Sequence, residues 1–261
     1  MPSDPAAHTR NLFDLTGRVA VITGGAVGLG RQMAEGLAEM GASLVICARK
    51  QERCEQAAAE LRALGVAALA LACDVGNPAS IRSMVDAAVS RFGGIDILIN
   101  NAGTSWGAPA EEMSLEHWNK VIATNLTGTF LCSQTVGNVM LGRKRGKIIN
   151  VASIAGMGGS PEDLDAIGYS ASKGGVITLT RDLARKWAGR GVHVNAIAPG
   201  WFPTRMSGAV IERHQENLLK SIPLRRFGNE RDLKGAAVFL ASAASDFVTG
   251  HVLVVDGGQT A

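Results

Sequence analysis

The chain has 261 residues, of which 46% are hydrophobic, and its 26 Lys and Arg against 23 Asp and Glu give a formal net charge of +3. This length suffices for one sizeable hydrophobic core, and so weak a positive charge gives no reason to expect a nucleic-acid partner. No apolar run approaches the roughly 18 residues of a membrane span. We therefore expect a cytoplasmic protein that binds neither nucleic acid nor membrane.

Cysteine and histidine usage restricts the chemistry further. The four cysteines form no C-x-x-C pair and the five histidines show no metal-ligand spacing, so we expect free or buried thiols in a reducing compartment and no metal site. Residues 1–16 are polar, contain Pro2 and Pro5, and lack an apolar signal-peptide core. We interpret residues 1–15 as a flexible N-terminal arm and 16–261 as one domain.

Short apolar runs alternate with segments of helical periodicity along this domain. The predicted strands are 18–23, 43–48, 66–73, 95–100, 147–152, 192–198 and 252–255. The predicted helices are 28–40, 51–64, 78–92, 115–140, 168–188 and 231–241, and 201–227 is irregular or partly helical. Strands that are apolar on both faces and alternate with helices predict an α/β fold with a parallel sheet covered on both sides. The basic run at 143–147 is interpreted as a solvated loop.

A glycine-rich turn, Thr23-Gly24-Gly25-Ala26-Val27-Gly28-Leu29-Gly30, joins the first strand to the first helix. Glycines allow a tight turn and a close approach to a pyrophosphate, and the helix N-terminus offers free N–H groups and the positive end of its dipole. The spacing differs from G-x-G-x-x-G, so a tight turn without a ligand is the alternative. Its position favours a dinucleotide cofactor, with Thr23, Gly24, Gly28, Leu29 and Gly30 as candidate contacts.

The end of the second strand indicates which cofactor. An acid at this point would bind the ribose 2′-hydroxyl of NAD, but the chain reads Cys47-Ala48-Arg49-Lys50. Arg49 could bind a 2′-phosphate through charge-assisted, bidentate hydrogen bonds; the alternative is an ordinary exposed Arg at a helix start. We expect NADP(H) to be preferred over NAD(H).

Tyr169 and Lys173 are four residues apart, so on a helix they share one face. A lysine ammonium beside a phenol favours the phenolate and lowers the tyrosine pKa, which suits proton exchange near neutral pH. This is the only tyrosine in the chain. The Y-x-x-x-K pair alone arises by chance, so its function depends on its surroundings.

Those surroundings supply further motifs. In chain order they are Thr23-Gly24-x-x-x-Gly28-x-Gly30, Asp74-Val75, Asn100-Asn101-Ala102-Gly103, Asn125, Ser153, Tyr169-x-x-x-Lys173, Pro199-Gly200 and Asp256-Gly257-Gly258. With these motifs the chain resembles the classical short-chain dehydrogenase/reductase family over about residues 15–258. The resemblance implies a Rossmann fold with a doubly wound, seven-stranded parallel sheet, and NAD(P)-dependent interconversion of a ketone and a secondary alcohol.

The resemblance also implies roles for matching residues. Asn125, Ser153, Tyr169 and Lys173 would form a catalytic tetrad. Ser153 would hold the substrate oxygen, Tyr169 would exchange its proton, and Lys173 would lower the Tyr169 pKa and hold the nicotinamide ribose. Asn125 would order a water that links Lys173 to solvent.

Further cofactor contacts are implied at the ends of other strands. Asp74 with Val75 would meet the adenine, while Asn101, Ala102 and Gly103 would line the ribose side. Pro199, Gly200 and the Phe202 backbone would face the nicotinamide, with Thr204 near its carboxamide. The Asp256-Gly257-Gly258 motif would serve structure and subunit packing, and relatives are usually tetramers or dimers, so we expect a homotetramer or homodimer.

The substrate is less well defined. Ser153 and Tyr169 are sixteen residues apart, a few more than is usual in the family, and the extra length falls in 156–163. The substrate wall is expected from Trp106, the 155–167 loop and the 201–227 segment. The candidate contacts are Trp106, Met157, Trp201, Arg205 and Met206, for which lid packing is the alternative role.

Two stretches, 101–108 and 198–206, resemble 3-oxoacyl reductases of the rhamnolipid type, a branch close to gluconate 5-dehydrogenase-like enzymes. The main hypothesis is therefore reduction of a 3-oxoacyl thioester, with Arg225 and Arg226 facing coenzyme A or an acidic carrier. The alternative is a sugar-acid or polyol dehydrogenase, with Arg205 as the nearest cation by sequence. A non-catalytic NADP(H)-binding sensor is a third hypothesis, which the intact tetrad disfavours.

Overall fold

The computed structural model describes residues 8–159 and 164–261, and its centre is a seven-stranded parallel sheet. The strands are β1 (Val19–Thr23), β2 (Ser43–Ala48), β3 (Ala68–Ala72), β4 (Ile97–Asn100), β5 (Gly146–Val151), β6 (Val192–Pro199) and β7 (Val252–Val255). Their order is β3-β2-β1-β4-β5-β6-β7, and every neighbouring pair is parallel. The predicted doubly wound sheet is confirmed, and the strand order reverses direction between β1 and β4, where such folds form their binding crevice.

Helices cover both faces of the sheet. They are α1 (Gly28–Glu39), α2 (Gln51–Arg62), α3 (Pro78–Phe92), α4 (Leu115–Ile122), α5 (Gly128–Arg143), α6 (Ile167–Trp187), α7 (Gly208–Ser221) and α8 (Lys234–Ala241). Successive β1 residues point to opposite faces: Ile22 packs in one apolar cluster with α1, α2 and α8, and Val21 packs in another with α3, α5 and α6. Both faces of the strands are therefore buried, as their unbroken apolar runs predict.

One predicted helix, 115–140, contains a local irregularity. The chain is helical from Leu115 to Arg143, but Ala123–Thr127 forms a π-helical turn between α4 and α5. A π-turn inserts one extra residue into a helix and redirects the side chains near it. The redirected residue here is Asn125, which is fully buried.

The interpretation of 143–147 as a solvated loop is wrong, since these residues end α5 and begin β5. Arg145 and Arg143 form ion pairs with Asp96 at 2.9 Å and 3.6 Å, and Arg18 lies 4.0 Å from the same carboxylate. The other carboxylate oxygen accepts a hydrogen bond from the Val19 N–H at 3.0 Å. A buried acid at the amino edge of the sheet therefore recruits two of the four basic residues of the run, because a buried carboxylate needs partners.

The last residue of that run, Lys147, lies at the start of β5. Its Nζ lies 2.8 Å from an Asp246 carboxylate oxygen and donates to Ser245 Oγ at 3.2 Å. Its burial lowers the pKa of Lys147, while the Asp246 carboxylate opposes that shift. The run thus ties β5 to the segment before β7.

The boundary predicted at residue 16 lies inside packed structure. Thr9–Phe13 forms a short 3₁₀ helix, and Leu15 is buried against the apolar cluster of α1. Residues 1–7 lie outside the described part of the chain. All four cysteines are buried and unpaired. Within 8–159 and 164–261, no helix has the length and hydrophobicity that a membrane span requires.

We predict that Asp96→Asn destabilises the protein, because it leaves the Arg18, Arg143 and Arg145 guanidinium groups without their shared countercharge. The expected loss is about 1–3 kcal/mol in the free energy of unfolding. Urea denaturation at fixed protein concentration measures it. The matched control is Asp182→Asn, which breaks an exposed pair with Lys186 and should cost less than about 0.5 kcal/mol. Equal losses in the two variants would contradict the assigned role of Asp96.

Candidate active site

The residues predicted for the site lie along the carboxyl edge of the sheet. Thr23 ends β1, Asn101 follows β4, Ser153 follows β5 by two residues, and Pro199 ends β6. Because the carboxyl ends of parallel strands meet at one edge, these residues share one crevice. Tyr169 enters that crevice from the first turns of α6.

Two glycines of the β1–α1 turn have left-handed backbones, with φ of +64° at Gly24 and +58° at Gly28. A Cβ added at Gly30 would lie 2.4 Å from Asn101 Nδ2 and 2.5 Å from the Gly24 carbonyl oxygen. Two of these glycines are therefore required by backbone conformation, and the third is required by close packing.

Side chains from β1 and from the residues after β4 hold this turn in place. Asn101 Nδ2 donates to the carbonyl oxygens of Thr23 and Gly24 at 3.0 Å and 3.1 Å. Thr23 Oγ1 accepts from the backbone N–H groups of Asn101 and Ala102 at 3.0 Å and 3.1 Å. The Asn101 amide nitrogen and the Thr23 hydroxyl thus support the turn.

The turn fits a dinucleotide pyrophosphate. The residue before α1 is Val27, which provides no side-chain cap, and no acid stands in the first turn of the helix. A Cβ placed at Gly28 would find its nearest neighbour 3.8 Å away, in the Thr204 methyl group. The uncapped helix N-terminus therefore points its N–H groups at open space between the turn and Thr204, where an anion would be stabilised.

The adenosine side of this crevice is formed by the ends of β2 and β3. Arg49 is exposed and makes no hydrogen bond or ion pair within the described residues. Asp74 is exposed, and its carboxylate accepts from the Gly76 N–H at 2.9 Å. Val75 is buried against Gly128 of α5, so its side chain packs in the core and only its backbone faces the crevice.

Ser153, Tyr169 and Lys173 come together beneath the turn. Ser153 Oγ accepts from the Ala155 N–H at 3.2 Å and is hydrogen-bonded to the Tyr169 side chain. Lys173 is 4% exposed; its Nζ donates to the Val151 carbonyl oxygen at 2.6 Å and lies 5.6 Å from the Tyr169 ring centroid. One hydroxyl, one phenol and one amine are therefore grouped in a dry site.

The expected fall in the Tyr169 pKa is not found. Burial raises the pKa of Tyr169, and the hydrogen bond with Ser153 only partly opposes that shift. Burial also lowers the pKa of Lys173 to about 8. The physical reason is that desolvation outweighs the hydrogen bond with Ser153, while the Lys173 ammonium, which donates to the Val151 carbonyl oxygen, is not among the groups that lower the Tyr169 pKa.

Asn125 occupies the π-turn between α4 and α5, and its side chain makes three buried hydrogen bonds. Its Oδ1 accepts from the Thr104 N–H at 2.8 Å, and its Nδ2 donates to the Thr104 carbonyl at 2.9 Å and to Ser172 Oγ at 3.0 Å. This side chain clamps the segment after β4 to α6. Sequence reasoning missed the partners Thr104 and Ser172, although Ser172 lies inside the Tyr169–Lys173 motif.

The segment after β6 folds back over the turn. Gly200 approaches Asp256, so a Cβ there would lie 2.7 Å from the Asp256 Cβ. The Phe202 side chain is buried, and a Cβ at Gly228 would lie 2.3 Å from its ring. Thr204 is held by Ser207, whose Oγ lies 2.9 Å from Thr204 Oγ1. Pro199, which ends β6, is buried.

The candidate substrate contacts fall into different surroundings. Trp106 stacks on the His117 ring, with centroids 3.5 Å apart and planes 10° apart. Trp201 lines a cavity of about 240 Å³ beside Ile222 and the Asp256-Gly257-Gly258 motif. Exposed side chains are found at Met157, Arg205 and Met206. Of the longer 156–163 loop, residues 160–163 lie outside the described residues.

No group of three or more His, Cys, Asp or Glu side chains is placed to hold a metal ion, as far as 8–159 and 164–261 are concerned.

Comparison with known protein families and structures was made on the whole chain. Residues 24–260 match a family model described as enoyl-(acyl carrier protein) reductase. The chain is 42% identical over 252 residues to the 5-keto-D-gluconate 5-reductase of Escherichia coli K12, covering 95% of this chain and 98% of that protein. It is 38% identical over 241 residues to a 3-oxoacyl-[acyl-carrier-protein] reductase of Staphylococcus epidermidis, covering 92% and 98%.

A solved structure is also closely similar. The gluconate 5-dehydrogenase of Burkholderia cenocepacia, in complex with NADP and tartrate, superimposes with a TM-score of 0.93 at 40% identity, covering 97% of this chain and 99% of that one. The two sugar-acid enzymes named here are more similar in sequence to this chain than the acyl-carrier enzyme is.

We predict that the buried Lys173 makes stability depend on pH. The folded-state pKa is about 8 against 10.5 for the free side chain, so between these values the unfolded chain binds more protons and stability rises with pH. Relative to Lys173→Met, the free energy of unfolding should rise by about 1 kcal/mol from pH 7.5 to pH 9. Urea denaturation of both proteins at the two pH values measures this difference. Identical pH dependence of the two proteins would mean that the pKa of Lys173 is not lowered in the folded state.

Proposed function

The chain belongs to the short-chain dehydrogenase/reductase family of NAD(P)-dependent oxidoreductases that act on CH–OH groups, and from this premise we propose that it interconverts a keto sugar acid and the corresponding hydroxy acid with NADP(H). The similarity to gluconate enzymes supports this proposal better than it supports 3-oxoacyl thioester reduction, the main hypothesis from sequence. The structural observation that carries it concerns the two arginines that the thioester hypothesis needs.

Both of these arginines are already engaged within the chain. The Arg226 guanidinium makes a bidentate ion pair with Asp232, with bonds of 2.6 Å and 2.9 Å. Arg225 donates to the carbonyl oxygens of Leu219 and Lys220, at the end of α7. A carrier or coenzyme A phosphate would have to displace these contacts, so Arg225 and Arg226 are poor docking groups for it.

Arg205 differs from Arg225 and Arg226 because its guanidinium has no partner among the described residues. It is exposed and has no hydrogen-bonding or ionic partner within 8–159 and 164–261, and it is three residues from Phe202, which is proposed to face the nicotinamide. An unpaired guanidinium beside the crevice suits a small substrate that carries a carboxylate. This contrast between engaged and unengaged arginines supports the sugar-acid assignment.

The tetrad residues are assigned the proton-transfer and positioning roles of reduction. NADPH, when bound, supplies the hydride that reduces the carbonyl carbon. Ser153 donates a hydrogen bond to the carbonyl oxygen and stabilises the negative charge that develops on it. Tyr169 donates the proton that completes the hydroxyl group. Its raised pKa suits this direction, because a buried phenol remains protonated and able to donate.

Lys173 and Asn125 are assigned roles that depend on where their side chains are held. The Lys173 ammonium, held on the Val151 carbonyl, is close enough to restore the proton of Tyr169 through an ordered water, and its pKa of about 8 lets it give up a proton near neutral pH. Both Nδ2 hydrogens of Asn125 are donated, to Thr104 and Ser172, and its Oδ1 accepts from the Thr104 N–H. We therefore assign Asn125 to positioning the loop after β4 and α6, in addition to the water-ordering role expected from sequence.

The cofactor preference is assigned to Arg49. This exposed side chain follows β2 directly, the two-residue loop before α2 contains no acid to bind a ribose 2′-hydroxyl, and Arg49 has no partner among the described residues. A 2′-phosphate would gain charge-assisted hydrogen bonds there. We therefore assign NADP(H) as the preferred cofactor, with NAD(H) bound more weakly.

We predict that the enzyme reduces 5-keto-D-gluconate with NADPH at a higher kcat/KM than it reduces acetoacetyl-CoA. The loss of NADPH absorbance measures both rates in one buffer. The result that would restore the thioester hypothesis is faster reduction of acetoacetyl-CoA. Tyr169→Phe serves as the chemical control: turnover should fall by about 10²–10⁴-fold, since the proton donor is lost. Unchanged turnover in Tyr169→Phe would contradict the mechanism.

We further predict that Arg49→Ala weakens NADPH binding by about 10-fold or more, because charge-assisted hydrogen bonds to a phosphate contribute about 1.5–3 kcal/mol. NADH lacks the 2′-phosphate and is the internal control, so its dissociation constant should change less than about twofold. Fluorescence titration of both cofactors measures the two constants. Equal weakening for NADPH and NADH would show that Arg49 acts on the fold rather than on the phosphate.

A further inference from the structure

A wall of three side chains beside the crevice has no role in the tetrad or in the cofactor contacts. It consists of Trp106, in the segment after β4, and of His117 and Lys120, which are one turn apart on α4. Trp106 is 40% exposed and Lys120 is exposed. The wall therefore offers an aromatic surface and a cation side by side.

The backbone path brings this wall close to the proposed chemistry. The position of a Cβ at Gly103 is 3.9 Å from Lys173 Nζ, and Trp106 follows three residues later, which limits the distance between the Gly103 and Trp106 Cα atoms to about 11 Å. Asn125 clamps the intervening Thr104 through both of its backbone polar groups. Trp106 is therefore carried on a fixed segment that begins at the proposed active site.

The other side of the wall is tied to the Tyr169 helix. A Cβ at Gly168, the residue before Tyr169, would lie 3.5 Å from the Trp118 ring and 3.8 Å from Val121 Cβ. Helix α4 thus packs directly on the start of α6. The segment that carries Trp106 also contacts the chain before α6, since a Cβ at Gly107 would lie 3.1 Å from the Asp165 carbonyl oxygen.

His117 fixes the indole. Ser114 Oγ lies 2.9 Å from His117 Nδ1, which anchors the ring at the N-terminus of α4. The anchored imidazole stacks on the indole at 3.5 Å. The two rings face each other directly, so one face of the Trp106 indole is covered by His117.

Lys120 is held near the indole without a countercharge. Its Nζ lies 6.0 Å from the Trp106 ring centroid. Glu116 precedes it by four residues, which is the favourable order for a helical ion pair, yet within the described ranges Lys120 pairs with no carboxylate. A cation–π contact at this distance contributes little, and the ammonium is therefore available to an anion at small cost.

Resting on the function proposed above, we propose that Lys120 determines specificity by binding the substrate carboxylate, while the Trp106 indole, positioned by His117, packs against the carbon chain of the sugar acid. Lys120 and Trp106 together would select a substrate of one chemical class, a short polyhydroxylated monocarboxylate. A neutral ketone of similar size gains nothing from Lys120. Arg205, the cation expected from sequence, is on a different segment, and the variant Arg205→Gln separates its contribution from that of Lys120.

The test measures KM and kcat for 5-keto-D-gluconate at saturating NADPH in wild type, Lys120→Gln and Lys120→Arg. Lys120→Gln should raise KM about 10-fold and leave kcat within about twofold, and Lys120→Arg should restore most of the affinity. The rise in KM with added salt should be shallower in Lys120→Gln than in wild type, since one charge pair is lost. Lys144→Gln removes an equal charge at the opposite edge of the sheet and should behave as wild type.

An unchanged KM in Lys120→Gln, or an effect confined to Arg205→Gln, would overturn the proposal. If the wild-type enzyme reduces no sugar acid, the proposed function fails, and calorimetric titration of D-gluconate into the NADPH-bound enzyme decides the role of Lys120 separately. Weaker binding to Lys120→Gln than to wild type supports the proposal in that case. Equal binding, or no binding to wild type, overturns it.

Discussion

The buried amide of Asn125 is the contact on which the geometry of the site depends. It joins three parts of the chain that are distant in sequence: the segment after β4 through Thr104, the Tyr169 helix through Ser172, and the long helical region in which it lies. Each buried hydrogen bond contributes about 1 kcal/mol net, and an unpaired buried amide costs more than that. The π-turn that directs Asn125 inward is retained because all of these bonds are made at once.

This clamp explains why a lysine can be buried beside a phenol. Lys173 enters a dry site where its charge is disfavoured, as its pKa of about 8 indicates, and it has one close acceptor, the Val151 carbonyl. That cost is tolerated because α6 is held at Ser172, one residue before Lys173, and at Gly168, one residue before Tyr169. Preorganisation of proton donor and amine is thus maintained by contacts that lie just outside the reacting groups.

Much of the fold could be predicted from the sequence because its signals are local. Unbroken apolar runs indicate buried parallel strands, and the turn glycines meet a conformational or steric requirement that other residues do not. The sequence did not predict features that depend on contacts between residues distant in the chain. The sequence around 143–147 does not indicate that Arg143 and Arg145 pair with the distant Asp96. The helical pattern through 115–140 likewise does not indicate a π-turn. The Tyr169 pKa also depends on burial, which Y-x-x-x-K spacing does not encode.

The same distinction separates the reaction from the substrate. Proton transfer uses residues attached to strand ends and to α6, so their order along the chain is informative. Substrate recognition uses surface cations whose availability depends on whether the fold pairs them. In the sequence, Arg225 and Arg226 resemble a docking site. In the structure, Arg226 pairs with Asp232 and Arg225 donates to carbonyl oxygens at the end of α7. Arg205 and Lys120 remain unpaired because no acid reaches them in the described chain. Under the proposed function, specificity therefore follows from which charges remain unpaired after folding.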